Sequence, residues 1–403
     1  MPEVRSVALA FWLGSGSRDE RDGEEGACHF LEHLTFKGTA KMSAADIAQA
    51  FDAVGGEANA FSTKEYTCFH ARVLGKDLKL ALQILAEMIE QPAIRPDELE
   101  GERNVILEEI AMHEDTPEDL VHDLFTERLF PDHPLGREVM GTIATVAAMT
   151  PESLRQFHTH HYRPDNIVFS AAGDVDHAEV VELLSANASA LPDESDSPSR
   201  SHPTAKAVKS LHVLTRPTEQ VHLVVGGVGF PQGHDRRFAW AALDVLLGGG
   251  MSSRLFQEVR EKRGLAYSIY SYRNTFSDTG LWAIYAGCVA GNVKEVVKVI
   301  SGELDDMCSS GVTQEELERA KGNLIGGLVI GLEDPVSRMT RLGRYELGSG
   351  EMLNMDENIA RIEAVTQDDV AGVARDLLNP EGRVLTLIGP VSVEDFSFWA
   401  DAG

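Results

Sequence analysis

The chain has 403 residues, enough for roughly two to four domains or structural units, and its 64 acidic against 36 basic residues give a formal net charge of −28. This charge argues against nucleic acid or an anionic membrane surface as the main partner and would attract basic peptides, with solubility as the alternative reason for it. Because the sequence has no apolar run of about twenty residues, no signal-peptide pattern and no CxxC pair among its four cysteines, we expect a cytosolic protein that does not span a membrane.

Apolar periodicity predicts short strands and longer helices in the first part of the chain. Ser43 is a typical helix N-cap, and Gly55 with Gly56 ends the helix that follows. The elements occur in clusters rather than in strict alternation, which favours an α+β fold with helices packed on mostly antiparallel sheets. The predicted strands cover 7–12, 67–73 and 167–172, and the predicted helices cover 44–53, 77–89 and 96–113.

The segment His29-Phe30-Leu31-Glu32-His33 has the spacing of a catalytic metal site. Positions i, i+3 and i+4 share one face of a helix, so both histidines can bind one ion while Glu32 lies beside it. Zinc is suited to two imidazoles and a carboxylate, for which Glu109 is the candidate, and such a set leaves a fourth position for water that the metal acidifies. Glu32 would take the proton from that water. The alternative is an amphipathic helix with two surface histidines.

Two parts of the chain resemble each other in order, which predicts a duplicated unit. Residues 94–117 and residues 312–335 both enter a long helix and end in an acidic pair followed closely by proline. The second copy has no histidine in the helix that corresponds to the metal-binding one, around 241–250, and Leu328 or a neighbouring glycine stands opposite Glu109. We therefore expect only the first copy to bind a metal.

A Ser- and Pro-rich segment divides these copies. Residues 194–206 have the composition of an exposed linker. The sequence therefore predicts a metal-binding α+β domain of residues 1–193 and a homologous α+β domain of residues 207–403 that lacks the metal site.

Four segments carry a resemblance to a known family. They are CHFLEHLTFKGT from Cys28, GGEANAFSTKEYT from Gly55, the helix Glu102 to Glu109, and GGGMSSRLFQEVREKRGLAYSIYS from Gly248. Together they strongly resemble the pitrilysin or insulinase-type zinc metallopeptidases, and most of all the mitochondrial processing peptidase and its bacterial relatives. The resemblance covers essentially the whole chain. It implies two homologous α+β halves around a substrate chamber, one Zn²⁺ per chain, hydrolysis of peptides or unfolded segments, and a homodimer.

The resemblance also assigns roles around the metal. It makes His29, His33 and Glu109 the zinc ligands and Glu32 the general base. Glu102 matches a second carboxylate of the family, seven residues and about two turns before Glu109 on the same helix. Such a carboxylate orients a ligand histidine and tunes its basicity. The alternative for Glu102 is a solvated acid on the helix surface.

Further positions match residues that contact the substrate in the family. Arg260 and Tyr267 match an arginine and a tyrosine that approach the metal from the second half, where they can donate to a developing oxyanion. By itself, Arg260 is one charge in a surface run. Asn59, Ala60 and Phe61 match the strand that pairs with the substrate backbone. Phe61 is expected to shape a nearby pocket, with a core position as the alternative.

The resemblance also allows an alternative function. Family members without activity form core parts of respiratory complexes, so the alternative function is a non-catalytic assembly subunit, although those relatives usually lose the metal ligands that are present here.

The start of the chain differs from the family pattern. Family members usually begin with a strand before the position of Met1, whereas this chain opens at the predicted strand 7–12. We therefore expect an edge strand of the first sheet to be missing, with unpaired backbone as the consequence.

Overall fold

The computed structural model describes residues 1, 3–187, 200, 208–348 and 351–401. Contacts divide the chain into two units, each built from three segments. The predicted linker 194–206 lies outside the described residues, apart from Arg200. Unit 1 consists of Met1–Met112, Arg137–Ser201 and Ile330–Met352, and unit 2 consists of His113–Gly136, His202–Val329 and Leu353–Gly403.

Unit 1 is built on an antiparallel sheet, here called sheet 1. Its strands in the described chain are β1 (Ser6–Leu13), β2 (Glu57–Ser62), β3 (Thr67–Leu74) and β4 (Ile167–Gly173). Their order is β2-β3-β1-β4. β1 lies inside the sheet because its sequence is apolar on both faces. Leu9 and Phe11 face the main core of the unit, while Ala10 and Trp12 face a second, smaller core.

Helices cover both faces of sheet 1. The smaller core is closed by Met339 of the last helix of the unit, which packs on β1 and β4. The helices are α1 (Ala27–Thr35), α2 (Ala44–Val54), α3 (Leu78–Glu90), α4 (Pro96–Glu114), α6 (Ile143–Ala148), α7 (Pro151–His161), α8 (His177–Asn187) and α12 (Pro335–Gly348).

The predicted local structure of this unit is confirmed. The three strands and three helices expected from periodicity are present, with each end within one residue of its predicted position. Ser43 caps α2, because its hydroxyl accepts from the Asp46 N–H while the Asp46 carboxylate accepts from the Ser43 N–H. Gly55 ends α2 in the left-handed conformation, with φ 61°.

Unit 2 is built on sheet 2, with the order β5-β9-β6-β8-β7. All pairings are antiparallel except that between β5 and β9. The described strands are β5 (Ser210–Thr215), β6 (Val221–Gly229), β7 (Ala266–Thr275), β8 (Gly280–Cys288) and β9 (Val384–Gly389). The helices are α5 (Pro117–Leu129), α9 (Arg237–Leu247), α10 (Val293–Ser309), α11 (Gln314–Gly331), α13 (Met355–Glu363), α14 (Gln367–Leu377) and α15 (Ser397–Asp401), with a π-helical turn at Phe256–Glu261.

The two sheets confirm the predicted duplication. The order β7-β8-β6-β9 in sheet 2 repeats the order β2-β3-β1-β4 in sheet 1. Sheet 2 has an additional strand, β5, beside β9, whereas the described residues place no strand beside the outer edge of β4. The fold is therefore α+β in two homologous halves.

The two copies also exchange one helix each, which the sequence did not predict. α5 follows α4 in the chain but packs on β6 and β9 of unit 2, and its counterpart α12 packs on β1 and β4 of unit 1. Over the described ranges, no helix combines the length and apolarity that a membrane crossing requires.

Gly343 provides a test of how α12 docks. A Cβ at this position would lie 2.1 Å from Nε1 of Trp12, whose indole N–H donates to Ser170 Oγ at 2.8 Å. We expect Gly343→Ala to lower the free energy of unfolding by about 1–3 kcal/mol, because the helix must move away from the sheet. Denaturant unfolding measures this change.

Gly322 in α11 is the matched control. A Cβ there meets nothing within 4 Å, so Gly322→Ala should raise stability by about 0.5–1 kcal/mol through helix propensity. Equal effects of the two substitutions would contradict the close docking of α12.

Candidate metal centre

α1 contains the residues His29 to His33, here called the HxxEH segment. The two histidines and Glu32 lie on one face of the helix, and the other face packs in the core. Phe30, Leu31 and Leu34 are buried in the main core of unit 1. This anchoring turns His29 and His33 to the same side, and their ring centroids lie 4.6 Å apart. One turn of helix therefore sets the separation of the two imidazoles.

Glu109 of α4 completes a group of three possible ligands. Its Oε2 lies 3.8 Å from Nε2 of His29 and 3.5 Å from Nε2 of His33. The ligand atoms of all three residues lie within 4.8 Å of one another. A tetrahedral ion with bonds of 2.0–2.1 Å holds its ligands about 3.4 Å apart, so this donor set fits zinc closely.

The protonation of the two imidazoles also suits a metal. Burial, and secondly the charge of His33, lowers the pKa of His29 to about 4, so that its ring is neutral near pH 7. His33 donates from Nδ1 to Oε2 of Glu102 at 3.0 Å, which leaves its Nε2 lone pair directed at the metal position. Nδ1 of His29 is buried and has no hydrogen-bond partner in the described part of the chain.

Glu102 is held between two partners. It is 6% exposed, and its second oxygen, Oε1, lies 2.5 Å from Nζ of Lys37. The structure thus brings Glu102 to the ligand His33, as the resemblance implies. Lys37 was not predicted from the sequence. The only signal for it was its place within the segment CHFLEHLTFKGT, just beyond the end of α1.

Glu32 lies beside the three ligands and has its own partner. Ser62 of β2 donates its hydroxyl to Oε2 of Glu32 at 2.7 Å. Burial raises the pKa of Glu32, with the charge of Glu109 contributing, while Ser62 and His33 oppose the rise. A carboxyl group with a raised pKa can both accept and return a proton near neutral pH.

Ser62 was also missed in the sequence. The signal was strand alternation: Phe61 and Ser62 are neighbours on β2 and so point to opposite faces of the sheet. Ser62 shares the face of sheet 1 that α1 covers.

β2 is an edge strand of sheet 1. In the described chain it pairs only with β3, so no strand pairs with its outer edge along Asn59, Ala60 and Phe61, where the Ala60 N–H donates to Oδ1 of Asn59 at 2.8 Å. Phe61 is 38% exposed, and its ring lies 6.2 Å from that of Tyr66. Phe61 therefore does not occupy a core position, and the edge has the geometry that accepts an extended peptide.

Arg260 and Tyr267 lie in unit 2, at the end of the π-helical turn and at the start of β7. The Arg260 guanidinium lies 4.5 Å from the ring centroid of Tyr267 and 4.8 Å from that of Phe256. Tyr267 is 79% exposed, beside a register shift between Ala266 and Ser268. The two side chains contact each other, and their role near the metal stays a prediction.

Comparison with known proteins identifies the family. The family model described as insulinase (peptidase family M16) matches residues 1–143, and the model described as peptidase M16 inactive domain matches residues 148–324. An uncharacterized zinc protease of Streptomyces coelicolor is 47% identical over 100% of this chain and 89% of its own length. The uncharacterized zinc protease YmxG of Bacillus subtilis is 40% identical over 96% of this chain and 94% of its own. The chain therefore belongs to the insulinase family of peptidases, M16, as the resemblance predicted.

Solved structures support the fold independently. The crystal structure of a protease from Helicobacter pylori matches with a TM-score of 0.90 at 22% identity, over 95% of this chain and 94% of that chain. A structure described as a peptidase M16 inactive domain from Pseudomonas fluorescens matches with a TM-score of 0.88 at 24% identity, over 97% and 94%. This chain thus shares its fold with both structures.

Glu102 can be tested by metal binding alone. Glu102→Gln keeps the shape of the side chain but removes its negative charge, which strengthens the hydrogen bond from His33 and forms the ion pair with Lys37. We expect its zinc affinity to fall roughly 10–100-fold, measured by competition with a chromogenic chelator. Glu108→Gln, an exposed acid on the same helix, should bind zinc like the unchanged protein. Equal affinity of the two variants would remove Glu102 from the site.

Proposed function

We propose that the protein is a zinc-dependent endopeptidase that hydrolyses peptides or unfolded segments. The observation that carries this proposal is the convergence of Nε2 of His29, Nε2 of His33 and a carboxylate oxygen of Glu109 within 4.8 Å, with Glu32 beside them. Relatives named zinc proteases that match nearly the whole chain support the same function. One Zn²⁺ per chain is proposed, because the second unit offers no equivalent of the HxxEH segment.

Each residue of the site has a separate task. His29, His33 and Glu109 would hold a zinc ion, which would supply Lewis-acid chemistry to a water molecule and to the scissile carbonyl. Glu32 takes the proton of the attacking water and delivers it to the leaving amine. Ser62 holds the Glu32 carboxylate in place during both transfers.

The substrate is proposed to be an extended, preferably basic peptide. Main-chain hydrogen bonds along the free edge of β2 bind such a chain without demanding a particular sequence. The net charge of −28 attracts basic segments over a distance. Donation by Arg260 and Tyr267 to the oxyanion, a processing-peptidase-like role, a homodimer, an enclosed chamber and a cytosolic location stay predictions from the sequence.

The alternative is a non-catalytic assembly subunit. The match of residues 148–324 to an inactive-domain model is the observation in its favour. All of the proposed ligands and Glu32 lie outside that segment, within residues 1–143, which match the insulinase model. The complete donor set with Glu32 beside it, and the relatives named zinc proteases, favour the peptidase.

One experiment separates these functions. Zinc content and cleavage of a quenched basic peptide are measured for the unchanged protein, Glu109→Gln and Glu32→Gln, with and without chelator. We expect Glu109→Gln to lose both zinc and activity, because it removes a ligand. Glu32→Gln should keep zinc and lose about 10²–10⁴-fold in kcat, because it removes only the base.

Glu108→Gln is the matched control and should retain both properties. A metal-free protein that cleaves nothing and forms a stable complex with another chain would support the assembly subunit. Near-normal turnover of Glu32→Gln would remove Glu32 from the role of base.

Ser62→Ala tests the support of the base. Loss of the hydroxyl frees the Glu32 carboxylate to rotate, so we expect kcat to fall about tenfold, equivalent to about 1.4 kcal/mol, with KM and zinc content unchanged. Ser185→Ala, which removes an exposed hydroxyl bonded to the Val181 carbonyl in α8, is the control and should leave kcat unaltered. An unchanged kcat in Ser62→Ala would show that the hydrogen bond has no part in turnover.

A further inference from the structure

The metal-binding helix begins without a capping side chain of its own. Gly26 stands at the N-cap of α1 with φ 95°, a conformation that favours glycine. A Cβ there would lie 2.4 Å from the carbonyl oxygen of Met140, so Ser, Thr, Asn and Asp are all excluded from this position. The first N–H groups of the helix must therefore find acceptors elsewhere.

Glu20 provides two of these acceptors from the preceding loop. Its Oε2 accepts from the N–H of Gly26 at 2.9 Å, and its Oε1 accepts from the N–H of Cys28 at 2.8 Å. The N–H of Ala27, between them, donates to the carbonyl of Glu24 at 2.9 Å. One carboxylate thus spans the first turn of α1, where the helix dipole also favours a negative charge.

The loop that carries Glu20 is itself fixed on both sides. Arg137 donates to the carbonyl of Glu20 at 3.2 Å. The neighbouring carboxylate of Asp19 accepts from the N–H of Gly16 at 3.0 Å and from the guanidinium of Arg200 at 2.8 and 2.9 Å. These bonds hold the Glu20 carboxylate at a defined position relative to the rest of unit 1.

Glu20 is costly to bury. It is 4% exposed, and burial raises its pKa to about 8 although the N–H groups of Cys28 and Gly26 oppose the rise. The two hydrogen bonds from the start of α1 to its oxygens offset part of this cost.

We infer that Glu20 is a positioning residue that sets the location of His29 and His33 by clamping the start of α1. His29 directly follows Cys28, whose N–H the carboxylate accepts, and His33 lies one turn further along the same helix. A shift of the helix start therefore moves both imidazoles relative to Glu109 on α4. The effect on zinc affinity does not depend on the proposed peptidase function, whereas the effect on kcat rests on it.

The test is Glu20→Gln in the full chain. Glutamine has the same shape but only one acceptor oxygen, and its NH₂ group then faces a backbone N–H. We expect zinc affinity to fall roughly 10–100-fold in chelator competition, with faster hydrogen exchange at the Cys28 amide. With a peptide substrate at saturating zinc, kcat should fall while KM stays constant, since the substrate strand β2 is not touched.

Glu24→Gln is the matched control. Glu24 lies in the same loop, but its carboxylate accepts from the exposed N–H of Arg21 and not from the first turn of α1, so no change in zinc affinity is expected. Glu20→Asp keeps a carboxyl group with two oxygens but is one methylene too short to reach both N–H groups. It should show the same direction of change, and it serves where Glu20→Gln gives too little folded protein.

The outcomes separate this inference from the proposed function. Wild-type zinc affinity in either folded Glu20 variant, even with a lowered melting temperature, would overturn the inference and leave a purely structural role. Weakened zinc binding together with accelerated exchange at Cys28 would support it. If Glu109→Gln binds zinc like the unchanged protein, the ligand assignment fails instead, whatever the Glu20 variants do.

Discussion

The convergence of three donor atoms from two helices is the constraint on which the candidate metal site depends. α1 supplies two imidazoles one turn apart, and α4 supplies the Glu109 carboxylate. Each helix must be anchored by its opposite face, because an error of about 1 Å would remove a ligand from bonding distance. Burial of Phe30 and Leu31 under α1, and of Ile106 and Ile110 under α4, provides this anchoring. The apolar core is thus also what makes the polar site possible.

Around these donors lies a set of polar side chains, each of which acts on a different part of the site. Glu102 fixes the ring of His33, Ser62 fixes the carboxylate of Glu32, and Glu20 fixes the start of α1. They come from α4, from β2 and from the loop before α1, so the site is held from three directions. Removing water from these groups strengthens each hydrogen bond, and it also lowers the pKa of His29 so that its ring stays neutral.

The two copies share a fold but differ in their candidate metal ligands. Sheet 2 repeats the strand order of sheet 1, and α11 corresponds to α4, yet the sequence of α11 has Leu328 or a neighbouring glycine opposite Glu109. The same architecture can therefore be kept while the chemistry of one copy is lost, because strand order and core packing do not depend on a few polar side chains. Unit 2 instead presents Arg260 and Tyr267, stacked on each other and partly exposed.

The sequence by itself determined the local elements, the metal-binding residues as candidates, and the family. The strands, the helices and the common face of His29, Glu32 and His33 follow from side-chain periods of two and 3.6 residues, which can be read directly from the order of residues in the sequence. The family followed from four segments considered together. The tertiary structure alone decided the pairs Lys37 with Glu102, Ser62 with Glu32 and Glu20 with the first turn of α1, and the exchange of α5 and α12 between the two copies. Such contacts join residues that are distant in the chain or lie in irregular loops, and no periodicity of side chains encodes them.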